Sequence, residues 1–172
     1  MKNSRLARAM HFVNQIASFI TDWDNDITLA REVAFFNRSR SRKVIYTHGM
    51  TRHCLITSDY VVKWNKMDEA SEYWVNTFGG VRSEINFYKI ACESGYGYLF
   101  AEAEGFIVND IEFEVMPRID YLGMDKCKEL EEVLTDDEYY YVIEHVKDVH
   151  DENFGFLHGQ PIIIDYAGAY NM

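Results

Sequence analysis

A chain of 172 residues that is 48% hydrophobic and 15% aromatic has enough apolar material for one domain with a substantial core, which excludes a disordered chain. Its formal charge of −11 excludes a broad nucleic-acid-binding surface, and no apolar run approaches the ~20 residues of a membrane span. Cys54, Cys92 and Cys127 stand apart without a C-x-x-C pair, which points to a reducing compartment and away from a metal knuckle. The basic start, Met1 to Met10, runs into Asn14, Gln15 and Ser18 instead of an apolar signal-peptide core, so the protein is expected in the cytoplasm.

Apolar residues at helical spacing from Ala7 to Phe19 predict a first helix, ended by Trp23-Asp-Asn-Asp26. A second short helix is predicted from Thr28, as its N-cap, to Phe36. The texture then turns to β. Lys43 to Arg52 reads as a strand turning at Gly49, His53 to Thr57 continues it, and Tyr60-Val-Val-Lys-Trp64 follows the Ser58-Asp59 turn, making a three-stranded meander. Glu69 to Cys92 is helical with a break at Gly79-Gly80, and its second part carries Val81, Ile85, Tyr88 and Ala91 on one stripe with Glu84 beside it. Tyr98 to Glu102 and Ile111 to Met116 read as two more strands, ended by Pro117. Thr135 and Glu138 form a capping box opening a helix to Val146 that turns Tyr139, Val142, Ile143 and Val146 inward. Phe154 to Tyr166 is a hairpin turning at His158-Gly159. Strands gathered into an antiparallel sheet with an intercalated helix make the fold class α+β, in a single domain.

The richest chemistry lies near the end of the chain. Asp148 is followed five residues on by Asn153, and twelve residues later Asp165 ends the apolar run Pro161-Ile-Ile-Ile. Carboxylate, amide and carboxylate around a hairpin suit Mg²⁺ held against a nucleotide, with Asp148 facing a hydroxyl nucleophile. His145, His150 and His158 near Asp148 and Asp151 have no zinc-ligand spacing and are assigned surface or capping roles. Tyr139, Tyr140 and Tyr141 are read as helix packing, and Glu129, Glu131, Glu132, Asp136, Asp137 and Glu138 as a solvated acidic face.

These residues, taken in order, resemble the protein kinase-like superfamily, which includes aminoglycoside and other small-molecule phosphotransferases. Asp148 to Asn153 matches its D-x-x-x-x-N loop, and Asp165 with Tyr166 and Gly168 resembles its metal-binding Asp-aromatic-Gly. Lys63 matches the strand lysine that contacts nucleotide phosphates, Glu84 the helix glutamate that pairs with it, and Met116-Pro117-Arg118 the adenine-contacting hinge. The short size and the Asn153 to Tyr166 hairpin are similar to kinase-like proteins encoded by bacteriophages.

The resemblance implies N-terminal helices over 1–42, a kinase-like N-lobe of five strands and one helix over 43–116, and a minimal C-lobe carrying the catalytic hairpin over 117–172. It implies ATP and Mg²⁺ as cofactors, Asp148 as the catalytic residue, Lys63, Glu84, Gly49 and Met116 at the nucleotide, and Asn153 and Asp165 at the metal. The chain departs from the family in having Gly49 alone where a G-x-G-x-x-G is usual, Val146 where a His precedes the catalytic Asp, and one extra residue in Asp165-Tyr-Ala-Gly168. It also stops at Met172, so a protein partner or a homodimer is expected to complete the C-lobe surface.

Three functions follow as expectations. The first is a minimal phosphotransferase acting on a protein or small-molecule hydroxyl. The second is a catalytically inactive kinase-like module that inhibits or redirects a host protein. The third, resting on charge alone, is an acidic decoy of a DNA-binding protein.

Overall fold

The computed structural model describes residues 4–38, 40, 43–119, 130–146 and 153–166. Two N-terminal helices, α1 (Arg5–Ala17) and α2 (Asp26–Asn37), precede strands β1 (Ile45–His48), β2 (Arg52–Ile56) and β3 (Tyr60–Asn65). Helices α3 (Glu69–Phe78) and α4 (Val81–Glu93) lead into β4 (Glu104–Val108) and β5 (Ile111–Pro117). A short α5 (Leu130–Val133), then α6 (Asp136–His145), and the hairpin β6 (Phe154–Leu157) and β7 (Gln160–Ile163) complete the described elements. The architecture is α+β. Its main sheet is antiparallel with strand order β1-β2-β3-β5-β4, and α3 and α4 form the connection from β3 to β4. Among the described residues no helix is long and apolar enough to cross a membrane.

The two-residue period of a strand divides the sheet into faces of different chemistry. Leu55, Val62, Trp64, Phe113 and Val115 lie on one face and are covered by Ala9, Phe12, Val13 and Ile16 of α1 and by Leu29, Val33 and Phe36 of α2. Trp64 seals this layer by donating its indole N–H to the Trp23 carbonyl at 2.9 Å. Arg52, Cys54, Lys63, Glu114 and Met116 alternate with those residues and therefore line the opposite face. A second core lies on that side, built from Ile85, Phe87 and Ala91 of α4, Leu99 and Phe100, Val142 of α6, and Phe154, Ile162 and Tyr166 of the hairpin.

Three local expectations need correcting. Tyr98 to Glu102 is not a strand: Gly97–Leu99 is a 3-10 turn, and Ala101 donates a single ladder-type bond to Ile163 at 2.8 Å. The fourth strand begins two residues later and reaches β5 through Asn109-Asp110, both at positive φ (50° and 63°). That dipeptide is a short-hairpin turn, which sets the right-handed strand twist that an apolar run alone does not specify. The N-cap of α2 is Asn25 and not Thr28, because the Asn25 side chain accepts the Thr28 N–H at 2.9 Å. On α6 the capping box of Thr135 and Glu138 forms as expected, and Tyr139, Val142 and Val146 pack inward as expected; Tyr141 joins them, while Ile143 and Tyr140, expected to pack, are exposed. Tyr141 is drawn in by stacking on Tyr96, ring centroids 4.0 Å apart.

Candidate functional site

The site is built on the polar face of the sheet. The β3–β5 register sets Lys63 opposite Glu114, and the β2–β3 register sets Cys54 opposite Lys63 and Arg52 opposite Asn65. Asn65 also anchors α4: its side-chain oxygen accepts the Val81 N–H at 3.1 Å, and a Cβ on Gly80 would stand only 2.4 Å from that oxygen. Glycine is needed there for the helix start to come this close. With α4 pinned at the end of β3, its first turn carries Glu84 over Lys63.

Three segments converge on the Glu84 carboxylate, which is wholly buried. Lys63 Nζ lies 3.2 and 3.3 Å from its two oxygens. Arg52 Nη1 donates to Oε2 at 2.5 Å, and the Tyr166 backbone N–H donates to Oε1 at 2.9 Å. Lys63 also donates to the Ile164 carbonyl at 3.0 Å, and Arg52 Nη2 donates to Asp165. The two cations thus bind the sheet and α4 to the residues that follow β7.

Burial alone would push the Glu84 carboxyl up, but Arg52 and Lys63 override it and hold the group down at about 2. Burial opposes the charge of Arg52 and of Lys63 as well, yet Glu84, with Asp165 beside Arg52 and Glu114 beside Lys63, raises both. Glu114 goes the other way: burial first, then the negative Glu84 next to it, drives its carboxyl well above the usual range. Both Glu114 side-chain oxygens are buried, and among the described residues neither has a hydrogen-bond partner.

This gives a pH test. Above the ordinary glutamate value of 4.5 the unfolded chain gives up the Glu114 proton while the folded one keeps it, so folding stability from this group falls as pH rises. Glu114→Gln is expected to remove that fall and to leave stability at pH 7–8 equal or higher, read from urea midpoints across pH 5–8. A clear loss of stability at pH 8 would mean that Glu114 is ionised in the folded state.

The hairpin positions Asn153 and Asp165. His158 and Gly159 turn it with φ of 53° and 85°, and Ile164 donates to the Asn153 carbonyl at 2.7 Å, bringing the two ends of the hairpin together. Tyr166 is locked by packing on Phe87 and Phe100 and by its hydroxyl on the Ala101 carbonyl at 2.5 Å. Asp165 therefore sits between two fixed neighbours, with its side chain 39% exposed. No model of a known protein family matches the sequence, and no curated protein matches it.

Among the residues expected at the site, Lys63, Glu84 and Asp165 come together through Arg52, with Asn153 at the base of the same hairpin. Met116 is buried in β5 on the same face of the sheet. Gly49 N–H is spent on the Arg52 carbonyl at 2.9 Å, and nothing lies within 4 Å of where its Cβ would be, so no close approach demands glycine there. Asp148, His150, Asp151 and Gly168 lie outside the described residues.

Arg52 and Glu114 were missed from the sequence. Neither carried a local signal strong enough to single it out. Arg52 and Cys54 share strand parity with each other and, through pairing, with Lys63. Glu114 alternates with Phe113 and Val115, which reads as a solvated position until α4 covers it.

The donors suit a hard cation. Among the described residues no group of three or more His, Cys, Asp or Glu could hold a metal unaided. Asp165 and Asn153 nonetheless offer oxygen donors, the kind Mg²⁺ takes together with phosphate and water oxygens.

Proposed function

We propose that the protein is a kinase-like phosphotransferase that binds Mg²⁺–ATP on the Lys63 face of the sheet and passes a phosphoryl group to a protein or small-molecule hydroxyl. The observation that carries this reading is the buried Lys63–Glu84 ion pair, 3.2 Å long, with Asp165 joined to the same cluster through Arg52. A five-stranded antiparallel sheet with a helix laid across the lysine-bearing strand is also what a kinase-like N-lobe requires. Lys63 supplies a fixed positive charge for phosphate oxygens, and Glu84 keeps it aimed. Asp165 and Asn153 would hold Mg²⁺, which when bound neutralises phosphate charge. Asp148 would accept or orient the proton of the acceptor hydroxyl. Such a protein acts in a cytoplasm, where nucleotide is at hand and Cys54 and Cys92 stay free thiols.

Thermal melting with and without Mg²⁺–ATP tests the site. The wild-type protein is expected to gain stability with ligand, and Asp165→Ala to lose the part of the gain that depends on metal. An unchanged metal-dependent gain in Asp165→Ala would remove Asp165 from the site.

A second reading, a kinase-like module that binds a host protein without turnover, draws on two observations: Asp165 is tied to Arg52, and the Gly49 N–H is already committed. Stabilisation by ATP with no transfer to water, protein or small hydroxyl compounds would favour it.

A further inference from the structure

The β1–β2 turn raises a specific question about phosphate recognition. A loop that cradles phosphates does so with unspent backbone N–H groups and with glycines that let the backbone come close. Here the Gly49 N–H closes the hairpin on the Arg52 carbonyl, and the Thr51 carbonyl accepts from Lys66 at 2.9 Å, so the turn is held into the sheet. The residue that leaves this turn onto the polar face is Arg52. Its guanidinium has five donors in a planar fork suited to carboxylate or phosphate. It shares Glu84 with Lys63, so the two cations stand side by side on the one face.

Arg52 also holds Asp165, the carboxylate of the cluster that reaches solvent. A carboxylate and a phosphate offer the guanidinium the same pair of anionic oxygens. Resting on the nucleotide-site reading above, we infer that Arg52 is a phosphate-binding residue that takes over the task of the missing glycine-rich loop, keeping Asp165 as its counter-ion until a nucleotide polyphosphate arrives. Exchange of one anion for the other leaves the guanidinium paired and leaves Asp165 available as an oxygen donor.

Binding of ATP, ADP and adenosine, measured by titration calorimetry in metal-free buffer, tests this on the full chain. Arg52→Gln is expected to weaken ATP and ADP by about tenfold or more, the loss of a charge-assisted hydrogen bond, with adenosine unchanged. Arg52→Lys is expected to recover part of the loss. Removing a buried cation can also unfold the chain, so the double variant Arg52→Gln/Asp165→Asn, which removes both members of the pair, is measured alongside and is expected to show the same selective loss. Equal weakening of adenosine and ATP, which a merely structural role would produce, overturns the inference. So does tighter ATP binding in Arg52→Gln, which would make Arg52 a plug. Wild-type protein that binds no nucleotide overturns the site reading itself, whereas wild-type binding that Arg52 variants leave untouched overturns only the role of Arg52.

Discussion

Glu84→Gln is expected to lower the unfolding free energy by about 3–5 kcal/mol, the cost of breaking a buried ion pair by removing one partner. The variant leaves Lys63 and Arg52 in the interior, with Asp165 still paired to Arg52 and with the Glu114 carboxyl, pushed well above the usual range, beside Lys63. The pH signature distinguishes this from simple loss of packing. The Glu84 carboxyl is held at about 2 against an ordinary 4.5, so its contribution is complete above 4.5 and disappears as pH falls through 4.5 toward 2. The variant should therefore lose stability less steeply than wild type on acidification. It should also change the state of Glu114. Once the neighbouring negative charge is gone, Glu114 can ionise and take over part of the pairing with Lys63. Glu114→Gln, neutral or stabilising alone, is then expected to be destabilising in the Glu84→Gln background, a coupling that a double-mutant cycle in urea reads directly. Strict additivity of the two changes would show that the carboxyls do not share a proton.

The second large effect concerns chemistry. Asp148→Ala is expected to reduce phosphoryl transfer by about 10²–10⁴-fold, the usual range for removing a positioned acid or base, while the Mg²⁺–ATP melting shift persists. Lys63→Met is expected to lose both transfer and shift, since the strand lysine acts in binding the phosphates. The assay is transfer of labelled γ-phosphate to the protein itself and to hydroxyl acceptors. Transfer that survives Asp148→Ala would place the base elsewhere, and a melting shift without any wild-type transfer would favour the non-catalytic module.

Lys63, Glu84 and Asp165 could be found by reading because each sits in a recognisable local setting: an apolar strand, a helix stripe, and the end of an Ile-rich run. Arg52 could not. Its meaning depends on Glu84, 32 residues away, and on Asp165, 113 residues away, and local pattern carries no information about such distances. Glu114 shows the same limit from the other side. A carboxylate alternating with Phe113 and Val115 looks solvated, and only the packing of α4 across β5 makes it a buried acid. The misplaced fourth strand has a different cause. Leu99, Phe100 and Ala101 are apolar because they are buried beside the hairpin and α4, not because they form a ladder, while the Asn109-Asp110 turn marked the true hairpin.

Short-range physics in the sequence alone was sufficient for the meander, the capping box of Thr135 and Glu138, the break at Gly79-Gly80, the His158-Gly159 turn and the α+β class. These depend on strand and helix periods and on turn and cap chemistry within a few residues. Tertiary structure alone decided which charges meet, which carboxyl is pushed up and which is held down, and that Arg52 ties the sheet to Asp165. Those outcomes are set by burial and by through-space pairing between distant segments, where losing water and gaining a counter-ion are both large and nearly cancel.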